Sequence, residues 1–127
     1  MEGYSVKVVN SSKQLTAREI IKLKDLSNAV SLDSVVEDDA PMMLTPDFWA
    51  ELHVHNEKSK DKDYKKYVII DKGGNKYHTG SESFFNAFMD IASEMAEAAP
   101  DEEYTIEVYR RPSKNYAGKS FLTCSLM

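Results

Sequence analysis

Residues 79–100 read TGSESFFNAFMDIASEMAEAAP, and this stretch decides how the rest of the chain is interpreted. Its large apolar side chains recur with the spacing of one helical face: Phe84, Phe88, Ile91 and Met95. The hydroxyl side chains before them can cap a helix N-terminus, and Pro100 ends the helix. The stretch therefore predicts one long amphipathic helix.

Short strands are predicted on both sides of this helix. Before it, the patterns of residues 4–9, 49–56, 67–70 and 76–79 are typical of strands, as are residues 104–108 and 121–126 after it. Residues 15–26 fit either a helix opened by the capping box Thr16-x-x-Glu19 or a turn followed by a strand, and we favour the strand. Residues 33–47 form a long acidic loop in this interpretation.

This order of elements predicts a single OB-like domain over residues 1–127. The expected architecture is mainly β with one long helix: a five-stranded Greek-key barrel whose helix lies between strands 3 and 4. A ferredoxin-like or open α+β sheet is the alternative topology, but it requires two comparable helices.

Composition excludes several classes of protein. The single cysteine, Cys124, excludes an intramolecular disulfide and favours a reducing compartment. No apolar run approaches the ~20 residues of a membrane span, and the first residues lack the pattern of a signal peptide. We therefore expect no membrane association and a cytoplasmic location.

The charges are strongly segregated along the chain, although the net charge is only −5. Residues 32–52 contain six carboxylates and residues 81–103 contain seven, with no lysine or arginine in either segment. Lysines and arginines concentrate in residues 57–76 and after residue 104. The pattern predicts one acidic face and one basic face.

The loop RRPSKNYAGKS, residues 110–120, is the first candidate nucleic-acid site. Cations that follow phosphates, next to an aromatic ring on which a base can stack, suit a single-strand groove. The candidate residues are Arg110, Arg111, Lys114, Tyr116 and Lys119. The alternative is a solvated hairpin tip.

A second basic segment lies in the hairpin around residues 57–67. Its candidate binding residues are Lys58, Lys60, Lys62, Tyr64 and Lys65, and we add Trp49 as a stacking side chain on the preceding strand. The alternative is that these charges only keep a hairpin tip soluble, because Asp61 and Asp63 dilute them.

Catalytic and metal-binding patterns are weak in this sequence. His53 and His55 occupy one strand face and could ligate a metal, but no cysteine or carboxylate pattern completes a familiar site. No nucleophile elbow or phosphate-binding glycine loop occurs. We therefore predict no metal, no cofactor and no enzymatic activity.

The second half of the chain resembles a known family. The features are a strand ending in GNKY, an apolar helix opened by small hydroxyl residues, the strand EEYTIEV, and then SKNYAGKSFLT. This order is similar to the short single-stranded DNA-binding proteins of tailed phages that infect Gram-positive bacteria. The similarity covers about residues 67–126.

The resemblance implies an OB-like fold and sequence-independent binding of single-stranded DNA in phage replication or recombination, in the host cytoplasm. Lys114, Tyr116 and Lys119 are the positions that match best. Candidate partners besides DNA are phage or host replication and recombination proteins and a second copy of the chain. The alternative function is a small acidic protein-binding module, an inhibitor that mimics DNA and occupies a host enzyme.

Overall fold

The computed structural model describes residues 3–37, 40–58, 60–113 and 119–127. It divides into two compact units, each made of two chain segments. The first unit comprises Met1–Ser31 and Asp47–Gly80, and the second comprises Leu32–Pro46 and Ser81–Met127. The prediction of one continuous domain did not anticipate this interleaved division.

The first unit contains a five-stranded sheet. With strands numbered along the chain, its members are β1 (Tyr4–Ser11), β2 (Val30–Ser31), β4 (Pro46–Asn56), β5 (Asp63–Asp71) and β6 (Lys76–Thr79). Their spatial order is β1-β4-β5-β6-β2. β1 pairs antiparallel with β4, β5 pairs antiparallel with β6, and β2 joins β6 in parallel.

Helix α1 (Ala17–Lys24) contributes Leu23 to the core of this unit. Leu23 clusters with apolar residues from alternating strand positions: Val6, Ala50, Leu52, Val54 and Val68. The prediction of a strand in residues 15–26 was wrong, because the Thr16 hydroxyl accepts the Glu19 N–H at 3.2 Å and the Glu19 carboxylate accepts the Thr16 N–H at 2.9 Å. This capping box satisfies two backbone donors that only a helix start leaves open.

The predicted acidic loop at residues 33–47 is more ordered than its composition suggests. It contains most of the single-turn helix α2 (Leu32–Val35), strand β3 (Met42–Leu44) and the beginning of β4. Leu32, Val36 and Leu44 are buried. Three buried apolar side chains therefore help to anchor this acidic segment.

The second unit combines a long helix with a three-stranded sheet. Helix α3 (Glu82–Ala98) confirms the predicted helix, and its N-cap is Ser81, whose hydroxyl accepts the Phe84 N–H at 3.2 Å. The sheet has the order β3-β7-β8, with β7 (Ile106–Pro112) and β8 (Ser120–Leu126) antiparallel. Helix α3 packs against β8. The buried side chains come from all four elements: Phe84, Phe88, Leu44, Ile106, Val108, Leu122 and Cys124.

The chain is mainly β, as predicted, but the predicted barrel is not formed. The described residues contain eight strands in two separate sheets and three helices, and the sheets do not close into a barrel. Helix α3 lies between the sixth and seventh strands instead of the third and fourth. Strand pairing is long-range, so alternation along the chain indicated most strands but not their partners. None of the helices in the described ranges has the length and apolarity that a bilayer crossing requires.

Candidate nucleic-acid interface

The β7–β8 hairpin presents a mixed aromatic and cationic surface on one face of the second sheet. Ile106 and Val108 are fully buried on β7, so the alternating positions of Tyr109 and Arg111 lie on the opposite face. Arg111 pairs in register with Phe121 of β8, whose side chain is 38% exposed. We call Tyr109, Arg111 and Phe121 the hairpin face.

Contacts within the hairpin face hold the tyrosine ring in place. The Arg111 guanidinium carbon lies 5.5 Å from the centre of the Tyr109 ring, and its Nη2 donates to the Tyr109 hydroxyl at 3.2 Å. The same hydroxyl lies 2.6 Å from the Ser125 Oγ on β8. Arg111 itself is exposed, so its guanidinium can still reach a phosphate or stack on a base.

The predicted lysine and tyrosine positions follow β7 in the sequence and precede β8. The Ser113 N–H donates to the Lys119 carbonyl at 2.8 Å, which continues the ladder beyond β7, and Lys119 is exposed. Lys114 and Tyr116 lie outside the described residues. The structure therefore places Arg111 and Lys119 on the same hairpin, together with two aromatic residues that the sequence analysis did not select.

Arg110 was predicted to meet phosphates, and this prediction conflicts with its contacts. Its Nε donates to the Val36 carbonyl at 2.7 Å, and its Nη2 donates to the Asp33 carbonyl at 2.7 Å. These acceptors belong to α2 and the residue that follows it. A single helical turn needs such tertiary support, because one turn alone is unstable. Arg110 therefore has a structural role in the second unit.

The second predicted basic site, on the β4–β5 hairpin of the first unit, has mixed charge. The Lys62 ammonium lies 3.4 Å from a Glu57 carboxylate oxygen, and the Lys65 ammonium lies 3.4 Å from one of Glu51. Lys58 and Lys60 are exposed. The Lys62–Glu57 pair is exposed on both sides, and such a pair is worth about 0–1 kcal/mol, so a phosphate can compete for Lys62.

Two aromatic residues predicted for this site lie in less accessible positions. Trp49 is only 8% exposed, so its ring offers little surface on which a base could stack, and this burial argues against the prediction for Trp49. Both it and Ala50 are buried, and a strand buried on both faces gives no alternation that could have shown this. Tyr64 is half-buried and packs against the core cluster of the first unit, which leaves little of its ring for a base.

His53 and His55 form a hydrogen-bonded cluster with two carboxylates. Asp63 Oδ1 lies 3.1 Å from His53 Nε2 and 2.8 Å from His55 Nδ1, and Glu57 Oε1 lies 2.7 Å from His55 Nε2. The hydrogen bond to Asp63, followed by that to Glu57, raises the pKa of His55. An imidazole can donate from both nitrogens only when it is protonated, so this geometry favours the cation. No three metal-ligating side chains of the described residues are arranged to hold a metal ion.

The charge segregation in the sequence follows the division into two units. The first unit contains 12 lysines and arginines against nine aspartates and glutamates, a formal charge of +3. The second contains four against 12, a formal charge of −8. The exposed carboxylates of α3 include Asp90, Glu94 and Glu97. The hairpin face is therefore a local cationic and aromatic patch on an otherwise acidic unit.

Tyr109 and Phe121 were missed because the sequence analysis treated residues 110–119 as a loop. The strand β7 continues to Pro112, and the alternation of Ile106 and Val108 with Tyr109 and Arg111 could have revealed the shared face.

Comparisons with known proteins add no relative to this picture: no family model, curated protein or solved structure matches the chain.

Proposed function

We propose that this chain binds single-stranded DNA without sequence preference, in phage replication or recombination within the host cytoplasm. The observation that carries the proposal is the hairpin face, where Tyr109, Arg111 and Phe121 lie on one exposed side of an antiparallel sheet. Aromatic rings accept any base by stacking, and an arginine can bind phosphate or stack as well. The resemblance of residues 67–126 to phage single-stranded DNA-binding proteins supports the same function.

A closed OB barrel is not necessary for this activity. An open antiparallel sheet that carries aromatic side chains on one face is also a platform for unstacked bases. Lys114, Tyr116 and Lys119 extend the proposed site along the same chain segment, and the lysines of the β4–β5 hairpin are a further phosphate-binding region. We expect no catalysis, and we expect replication or recombination proteins or a second copy of the chain as protein partners.

Fluorescence anisotropy with a labelled oligo-dT tests the proposal. The chain should bind oligo-dT more tightly than a duplex of equal length, and the affinity should fall between low and high salt because ions are released from the strand. Tyr109→Ala and Phe121→Ala should each weaken binding by about 1–3 kcal/mol, while Tyr109→Phe and Phe121→Trp, which keep a ring, should bind as the parent does. Tighter binding to duplex would refute the proposal.

A protein-binding function is the second candidate. The observation that favours it is the −8 charge of the second unit and the row of exposed carboxylates on α3, none of which forms an ion pair within the described part of the chain. Such a surface could imitate the phosphates of DNA and occupy a host enzyme. A complete lack of oligo-dT binding at low salt would favour this function.

A further inference from the structure

The first unit contains a cavity of about 350 Å³ that the proposed function does not use. It lies between α1, the segment after α1, and the ends of β4, β5 and β6. Its apolar wall is formed by Leu23, Phe48 and Ile70. Its polar side is formed by Glu19, Lys22, Asp25, Asn28 and Lys76. The volume falls at the lower end of the range of small-molecule sites, about 300–1,000 Å³.

Neighbouring charges fix the aromatic ring in the wall. The Lys13 ammonium lies 4.2 Å from the centre of the Phe48 ring and 2.7 Å from a Glu19 carboxylate oxygen. The hydrogen bond from Lys13 lowers the pKa of Glu19 to about 2, so this carboxylate stays ionised and paired with Lys13. Phe48 is half-buried, and the ring therefore provides a preformed flat apolar surface to the cavity.

Lys76 provides a hydrogen-bond donor on the opposite side. Its ammonium donates to the carbonyls of Lys22 and of Asp25, the latter at 2.7 Å, near the C-terminal end of α1. An ammonium has three N–H groups, so one remains for a ligand. The Asp25 carboxylate accepts from the Ser27 N–H at 3.1 Å and from its hydroxyl at 2.6 Å, which partly satisfies it.

This combination of walls selects the chemical class of the ligand. A cationic ligand would meet the Lys22 and Lys76 ammonium groups, while the Glu19 and Asp25 carboxylates already have Lys13 and Ser27 as partners. An aliphatic ligand would leave the polar side of the cavity without hydrogen-bond partners. A planar heteroaromatic ring buries its faces against Phe48 and Ile70 while its edge carbonyls accept from Lys76 and Asn28. We propose that this cavity is a binding site for a nucleobase, separate from the hairpin face.

NMR titration of the ¹⁵N-labelled full chain with thymidine tests this site directly. The backbone amides of Phe48, Ile70, Gly74 and Lys76 should shift with thymidine at millimolar concentration. Asn28→Trp places a large ring at the exposed rim of the cavity and should abolish these shifts. The other resonances of this variant should remain those of the folded protein. Unchanged thymidine binding in this variant would overturn the proposal.

A second pair of variants tests the donor. Lys76→Met should weaken thymidine binding roughly tenfold, because one hydrogen bond from a charged group is lost. Lys72→Met is the matched control, since Lys72 lies near the same turn but pairs with Asp47 at 3.3 Å outside the cavity. Equal thymidine binding by Lys76→Met and Lys72→Met would overturn the assignment of the donor and with it the nucleobase.

A repeat of the titration with oligo-dT shows whether the cavity takes a base of a DNA strand or a free nucleoside. Shifts of the same amides with oligo-dT identify a base of a bound strand, whereas shifts with thymidine alone identify a free nucleoside or nucleotide. Tyr109→Ala should weaken oligo-dT binding yet leave the thymidine shifts intact. The experiments therefore distinguish a failure of the proposed DNA site on the hairpin face from a failure of the proposed nucleobase site in the cavity.

Discussion

Arg110 and Arg111 are neighbours in the chain, but the pleat of β7 gives them opposite roles. Arg110 donates to two backbone carbonyls around α2, whereas Arg111 lies exposed beside the Tyr109 ring. Both arginines were predicted to bind phosphate because side chains in a loop do not alternate regularly between two faces. In a strand they do, and side chains at successive positions point to opposite faces.

Substitution of the two arginines should therefore affect different properties, stability for Arg110 and DNA binding for Arg111. Arg110→Met should lower the free energy of unfolding by about 1–3 kcal/mol, since it removes charge-assisted hydrogen bonds to two carbonyls. Arg111→Gln should leave stability unchanged and reduce the salt slope of oligo-dT binding by about 0.7. Thermal melts and anisotropy at several salt concentrations measure both quantities. The exposed Arg18 on α1 supplies the control variant Arg18→Gln, which should change neither.

Cys124 should be unreactive in the folded protein. It is 6% exposed on β8, and burial raises the pKa of its thiol to about 12. At pH 8 the thiol is then almost entirely protonated, and only the thiolate is reactive. A chromogenic disulfide reagent should label the native chain slowly and the urea-unfolded chain at once. Rapid stoichiometric labelling of the native chain would contradict this burial.

At the scale of elements, the His55 cluster makes the β4–β5 pair sensitive to pH. His55 has a raised pKa, so its contribution to stability is fully present below the unfolded value near 6.5 and is lost as pH rises through the folded value. Hydrogen bonds from His55 and His53 lower the pKa of Asp63, so its contribution is present above about 3.8 and is lost as pH falls through the lowered value. The cluster should stabilise the pair most between roughly pH 4 and 6.5.

The test is a series of melting temperatures across pH. The difference between the parent and His55→Gln should be largest near pH 5 and should shrink above neutral pH. In an Asp63→Asn background, which removes the negative charge shared by the two imidazoles, the effect of His55→Gln should be much smaller at pH 5. A difference that does not depend on pH would mean that the imidazole is not protonated in the folded state.

Local signals predicted the elements of this fold better than their arrangement. Helix α3 was predictable because its cap, its apolar stripe and Pro100 all lie within one segment. Helix α1 was ambiguous because eight residues with one buried side chain, Leu23, give little periodicity. The sheet order β1-β4-β5-β6-β2 depends on contacts between distant segments, and no local pattern determines it.

The candidate site was predictable to a similar degree. Arg111 and Lys119 were selected as cations of the segment 110–120, Lys119 also from the resemblance, and both lie on the hairpin that carries the proposed site. Tyr109 and Phe121 required the knowledge that β7 and β8 pair in register. Trp49 and Arg110 were selected by residue type. The burial of Trp49 and the backbone contacts of Arg110 argue against these two selections, and neither feature can be read from residue type.

The negative charges of helix α3 should weaken DNA binding by the molecule as a whole. The triple variant Asp90→Asn, Glu94→Gln and Glu97→Gln removes three negative charges from the exposed face of α3. It should raise oligo-dT affinity at ~0.05 M salt, and the gain should fade above ~0.15 M, where the Debye length is about 8 Å. If the chain instead acts as a DNA mimic, these substitutions should abolish binding to its protein partner and leave the affinity for oligo-dT unchanged.

The interleaving of the two units also affects how the protein is made. The chain passes from one unit to the other after residues 31, 46 and 80, so neither unit is a continuous stretch. During synthesis, residues 32–46 are made before residues 81–127, with which they form the second unit. The remaining segment of the first unit, residues 47–80, is made between them. No single proteolytic cut separates the two units, because a fragment that ends at residue 80 contains the whole first unit together with residues 32–46 of the second. Any fragment from one cut that keeps a unit whole therefore also carries a piece of the other unit, although each unit has its own sheet.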